Sequence, residues 1–421
     1  MTRTMHCMIR LPLVTWLLIL SAALFVPNGD ASDSPDSTSS VGHPLSAPSI
    51  DQLEKDHSLF PYNEKISQAL AAAYAESGQS FLKQMRYDEA ASRFEQARAL
   101  HPEVPDYGVW KGIALYLGKR YDEAAYELEN SRQAAGDDVT ILYYLGKVRY
   151  DSGDLQAALD VWEQALVLAP DSKSLQSLVE KARKELRVES GMGKGYKSMF
   201  VITYDEGTMS DLADDVLGTL ENAYSRVGSD LNCYPSVRIP VILYTRKEYR
   251  DVTEGPEWSG GLYDGKVRLP IRGAKTINPV LKGVLTHEYT HVVVRELTKD
   301  NCPTWLNEGL AEVEGRTEFN PPLAALAAAA KTGKFLSFPS LEGSLLGIDT
   351  KKVHLAYEQS YSIVKYMIAT YGWYKVRDLL DALGNGRDIS AAITGVFADF
   401  GLDYKGLVRE WQESVLREYR N

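Results

Sequence analysis

The chain has 421 residues, a formal net charge of −11, 44% hydrophobic residues and 24% charged residues. These are the proportions of an ordinary globular protein with room for two or three folded units. No Lys/Arg block interrupts the acidic balance, which excludes nucleic acid as the main partner.

At the N-terminus, Arg3 and Arg10 flank the start of a nearly unbroken apolar run from Leu11 to Val26. Gly29-Asp30-Ala31 then places small residues where signal cleavage needs them. Residues 1–31 therefore read as a signal peptide, and the rest of the chain as exported to a periplasm or cell envelope, or secreted. A membrane enters the reading only if this segment stays uncleaved, since the run is about as long as the shortest spans. Cys7 leaves with the signal. Cys233 and Cys302 remain, either as a disulfide in an oxidising compartment or as two buried thiols. Residues 32–62 open on Ser, Asp and Pro and read as a flexible leader.

From residue 63 to 188 the chain repeats itself. Tyr87-Asp88-Glu89-Ala90-Ala91 recurs as Tyr121-Asp122-Glu123-Ala124-Ala125, and in weaker form as Leu155-Gln156-Ala157-Ala158. Gly78, Gly112 and Gly146 hold the same register, as do Pro102, Gly136 and Pro170. A period of 34 residues with small residues at the helix contacts and a Pro near the end resembles tetratricopeptide repeats. Such helix pairs bury their apolar faces only by stacking. Three repeats and a capping helix from about Ser172 to Val188 satisfy that need. The resemblance implies a concave groove that takes a protein partner.

Residues 189–197, rich in Gly, read as a linker. Beyond it, 200–204 and 237–244 have the β-branched and aromatic content of short strands. An amphipathic helix spans 211–227 between them, and 261–269 reads as a hairpin or edge strand. From Asn278 onward the pattern is mostly helical, giving an α+β unit over 198–421 with a small sheet and a helical C-terminal part.

The chemistry is concentrated in that unit. His287 and His291 stand four apart on a buried helix, so both rings leave the same face and can share one Zn²⁺. Glu288 leaves beside them, placed to take a proton rather than to ligate. After a break at 298–301, Pro303 suits the start of a second helix carrying Trp305-Leu306-Asn307-Glu308-Gly309. The two arms are nearly equal in length, so an antiparallel return at about 1.5 Å per residue brings Glu308 back beside His291. Glu312, one turn on, is expected to orient a histidine N–H, with Asn307 a further candidate for that role.

His287-Glu288-x-x-His291 followed by Trp305-Leu306-Asn307-Glu308-Gly309 resembles the gluzincins, in particular their aminopeptidase-like branch and its peptidase MA relatives. The resemblance implies a thermolysin-like catalytic domain, one Zn²⁺ on His287, His291 and Glu308, and peptide or protein substrates. It also points to Tyr357 in Tyr357-Glu358-Gln359-Ser360 as the oxyanion stabiliser, with Tyr361 and His354 as alternatives one turn away. The branch's G-x-M-E-N segment, whose Glu grips a free amine, has no counterpart in Gly260-Gly261-Leu262-Tyr263-Asp264-Gly265. An endopeptidase or narrow processing enzyme is therefore the expectation. The alternative is a repeat scaffold of the cell envelope whose metallohydrolase domain is inactive or acts on something other than peptides.

Overall fold

The computed structural model describes residues 48–253, 260–271, 274, 276–345 and 350–419. The signal segment, Cys7 and most of the leader lie outside the described residues. No helix among the described residues is long and apolar enough to cross a membrane.

Among the described residues helix α1 (Ile50–Leu59) comes first, within the segment expected to be a flexible leader. Ser49 caps it by accepting from the Gln52 N–H, and Leu53 is buried against the next helix, so cap and contact together order the segment. Three helix pairs follow: α2 (Glu64–Lys83) with α3 (Tyr87–Leu100), α4 (Pro105–Leu117) with α5 (Tyr121–Ala135), and α6 (Val139–Asp151) with α7 (Leu155–Leu168). Helix α8 (Lys173–Glu189) closes the stack. The small-residue register has a steric cause. A Cβ on Gly146 would lie 2.1 Å from the indole nitrogen of Trp162, and one on Gly112 would lie 2.7 Å from Leu128. Each pair can close only because its first helix carries glycine at that level.

The second unit is built on a mixed sheet of order β1-β2-β3-β5-β4. Strands β1 (Gly193–Lys197), β2 (Phe200–Tyr204) and β3 (Ile239–Tyr244) are joined by β4 (Leu262–Tyr263) and β5 (Val267–Pro270). Strand β1 pairs antiparallel with β2, β2–β3 and β3–β5 are parallel, and β4 returns antiparallel on β5. Residues 193–197, expected within a linker, are thus an edge strand. Gly195 lies over Ile202, so its missing side chain lets the edge close on the sheet. Helices α9 (Glu206–Leu231), α10 (Arg246–Thr253), α11 (Pro279–Thr298), α12 (Thr304–Gly315), α13 (Ala324–Thr332) and α14 (Phe338–Glu342) complete the middle of the chain. The C-terminal part is α15 (Thr350–Gly384), kinked at Gly372, then α16 (Ile389–Val396) and α17 (Tyr404–Tyr419). One apolar core joins β2, β3 and β5 to α9, α11, α12 and α15.

The two units meet through buried charge. The Arg268 side chain on β5 is fully buried and donates to Glu185 of α8 at 2.8 Å and to the Tyr150 hydroxyl of α6 at 3.2 Å. Lys266 reaches the other Glu185 oxygen at 2.9 Å. Tyr244, Asp264 and Glu189 take the remaining Arg268 donors, and Tyr244 donates in turn to Glu189.

Candidate metal centre

Helix α11 begins with Asn278 accepting from the Leu281 N–H and with Pro279 in the first turn. It ends at Lys299 in the left-handed region, and Asp300 follows in the same region. Two successive positive-φ residues fold the chain back sharply, and Pro303 stands as the N-cap of α12 rather than inside its first turn. The two helices then run close together. A Cβ on Gly315 would sit 2.8 Å from the Gly283 carbonyl oxygen, and one on Gly283 would sit 2.9 Å from that of Gly315. This contact sets the separation that brings α12's carboxylates to α11's histidines.

His287, His291 and Glu308 meet there, with one potential ligand atom from each lying within 4.8 Å of the others. Glu308 Oε2 lies 3.4 Å from His287 Nε2 and 3.7 Å from His291 Nε2. Ligands held tetrahedrally at about 2.0–2.1 Å stand roughly 3.3–3.4 Å apart, so the spacing fits a zinc-sized ion. Glu308 Oε2 is buried without a hydrogen bond in the chain itself, which leaves a polar atom that an ion would satisfy. The field agrees. Burial opposes charge on His287, but the close approach of Glu308 and the charges of Glu312 and Glu288 lift its pKa to about 9. A site that draws a proton this strongly is arranged to hold positive charge.

The outer nitrogens of both rings are engaged. Asn307 Oδ1 lies 2.9 Å from His291 Nδ1, and Glu312 Oε1 lies 3.4 Å from His287 Nδ1. Each contact leaves Nε2 aimed at the centre. Glu312 is itself gripped by Arg316, whose Nε donates to Oε2 at 2.7 Å. Sequence reasoning passed over Arg316, although its place four residues after Glu312 on one helix was a readable signal. The Arg316 guanidinium also stacks over the Tyr361 ring at 4.5 Å. Tyr361 is buried beneath it and does not line the cleft, so this alternative oxyanion donor is not brought to the metal side. Tyr357 and His354 both line the cleft, and the Tyr357 ring stands 6.4 Å from that of His287.

Glu288 is buried, and burial raises its pKa against the opposing pull of His287 and His291. Its carboxylate lies against the backbone just before β4. A Cβ on Gly261 would come within 2.6 Å of Glu288 Oε1. No sequence pattern announced this contact between residues far apart in the chain.

The cleft extends on both sides of these groups. One cavity of about 430 Å³ is lined by Val280, Val284, Phe319 and Pro321, and another of about 600 Å³ by Tyr249, Leu262, Cys302 and Leu345. His287, Glu288, Tyr357 and Gly261 line both. Cys302 and Cys233 are free thiols, and burial pushes the Cys302 pKa up.

Two known families match this architecture. Residues 232–417 match the Peptidase MA superfamily, and residues 76–138 and 139–172 each match tetratricopeptide repeats. Comparison with curated proteins gives no match. Among solved structures, the chain is similar to the Arabidopsis OM64 TPR domain at 18% identity and a TM-score of 0.27, covering 28% of this chain and 98% of that one. A second is the first TPR of Spaghetti (RPAP3) bound to the HSP90 peptide SRMEEVD, at 20% identity and 0.27, covering 28% and 93%. A third is a thermophilic TPR protein in Thermus thermophilus, at 20% and 0.25, covering 32% and 71%. The chain therefore carries a Peptidase MA superfamily domain over residues 232–417, preceded by tetratricopeptide repeats over residues 76–172.

Proposed function

We propose that the protein is an exported, zinc-dependent endopeptidase whose repeats engage protein substrates or partners. One observation carries the reading: a two-His, one-Glu donor set lies beside a buried carboxylate, in a cleft that runs past it in both directions. A substrate chain needs that open run on both sides to be cut internally.

His287, His291 and Glu308 would hold a Zn²⁺ ion, which would supply Lewis acidity and lower the pKa of a water towards about 7. Glu288 takes the proton from the attacking water and passes it to the leaving amine. Burial raises its pKa, which helps it hold that proton between the two transfers. Burial and then the charges of Glu308, Glu288 and Glu312 push the Tyr357 pKa far up. Its hydroxyl therefore stays protonated as a donor to the developing oxyanion. Among the described residues strand β4 lies at the edge of the sheet beside this point, where a substrate backbone can pair as an added strand.

The test is cleavage of an unbiased peptide pool by the zinc-loaded chain and by Glu288→Gln, read by mass spectrometry. Internal cuts by the wild type, with a loss of at least roughly 100-fold in the variant, are the expected result. If neither protein cuts while one zinc stays bound per chain, the peptidase reading fails and a scaffold or non-peptide hydrolase takes its place.

A further inference from the structure

A third cavity, of about 390 Å³, lies between the repeat stack and the Peptidase MA domain. Tyr263, Arg295 and Asp300 line both this cavity and the larger half of the metal cleft. They form a sill rather than a closed wall. The Arg295 and Asp300 side chains pair at 2.8 Å yet keep 41% and 68% of their surface open to solvent, so a chain can lie across them.

We propose that the metal cleft continues over this sill into the groove between the two units, and that the groove holds the distal part of an extended, acidic polypeptide substrate. The inference rests on the endopeptidase reading and adds the substrate's length and charge to it.

Helix α11 measures the reach. His291 and Lys299 are eight residues apart, about 12 Å along a helix. An extended chain rises about 3.3 Å per residue, so roughly four residues separate the metal from the far side of the sill. At that point the domain meets the repeats. Lys299 donates to the Met85 carbonyl oxygen of the first repeat, and Lys119 pairs with Glu296. The tyrosines that open the second helix of the first two repeats, Tyr87 and Tyr121, line the same groove. They give an extended backbone flat rings to lie on.

The charge requirement follows from what is already satisfied. Lys119, Lys181 and Arg295 are paired with Glu296, Asp264 and Asp300. Lys147 from the repeats and Arg238 from the domain also line the groove, and neither has a hydrogen-bond or ion-pair partner among the described residues. With Lys299 and Asp151 counted as well, the lining holds six Lys/Arg against four Asp/Glu, and that excess favours carboxylates in a chain lying between the two units.

The experiment uses the full-length, zinc-loaded Glu288→Gln protein and fluorescein-labelled peptides that share one core. Each side is extended in turn by about two, four or six residues, in Ala/Ser and Asp/Glu versions. Fluorescence anisotropy reads the affinity. Extension on one side past about four residues should tighten binding roughly 10-fold, with the Asp/Glu version the tighter. Lys147→Glu with Arg238→Glu, added to the same background, should abolish the acidic preference. Affinity independent of length on both sides, or an acidic preference unchanged in the double variant, overturns the proposal. The two readings fail separately. Length and charge effects with no cleavage of any peptide by the wild type would sink the peptidase reading and keep the groove, and cleavage without those effects would do the reverse.

Discussion

Arg316, Glu312 and His287 form a line of contacts ending at the candidate metal centre, and Asn307 lies behind His291 in the same way. A carboxylate behind a ligating imidazole fixes its tautomer and raises its basicity. Glu312→Gln keeps the shape and one acceptor but removes the charge. Zinc affinity, measured by competition with a chelator, should fall by about 10–100-fold, with the fold unchanged by circular dichroism. Affinity equal to wild type would show that Asn307 and Glu308 alone hold the ligands in place. That His287, His291 and Glu308 would meet was legible in the sequence because helix spacing and two matched arms need only local geometry. The Gly261 contact with Glu288 and the burial of Tyr361 under Arg316 were not, because both depend on how distant segments pack.

At the scale of elements, α12 does two jobs on two faces. One face carries Glu308 and Glu312 to α11, while Glu314 is buried towards α9, with a side chain 2% exposed and Arg226 Nε 3.3 Å away. Burial first, then the charge of Asp230, raises its pKa to about 7 despite Arg226. The folded protein therefore holds this proton more tightly than the unfolded chain does, whose carboxyl titrates near 4.5. The contribution to stability is whole below about pH 4.5 and is lost as pH rises through about 7. Glu314→Gln removes that loss. Melting curves of the two proteins should converge near pH 4.5 and separate by pH 8, with the variant more stable by on the order of 1–2 kcal/mol once the lost Arg226 contact is counted. A variant less stable than wild type at pH 8 would show that the Arg226 pair outweighs burial. The pairing of α11 with α12 and the helix pairs of the repeats were readable from glycine register and turn residues. Strand β1 was not. Gly193, Lys194 and Gly195 have linker composition, and only the sheet edge they complete makes them a strand.

Across the whole molecule, the repeats and the Peptidase MA domain share a buried network that neither holds complete. Glu185, Glu189 and Tyr150 belong to the repeat side, and Arg268, Lys266, Asp264 and Tyr244 to the domain. The sequence boundary at residue 198, drawn where the composition changes, cuts through this network and removes β1 as well. A chain of residues 198–421 alone would leave Arg268 and Lys266 without Glu185 and strip the repeats' cover from that face, while Glu185→Ala in the intact chain would leave them buried without that partner, which costs about 3–5 kcal/mol. That is a large share of a domain's stability of about 5–15 kcal/mol. The fragment should therefore melt well below the full chain or show no cooperative transition, and Glu185→Ala in the full chain should move its melting in the same direction. If residues 198–421 melt at the temperature of the intact protein and bind one zinc equally well, the repeats are a tethered accessory. If they do not, the repeats form part of the catalytic unit, which is what a substrate groove walled by both would require.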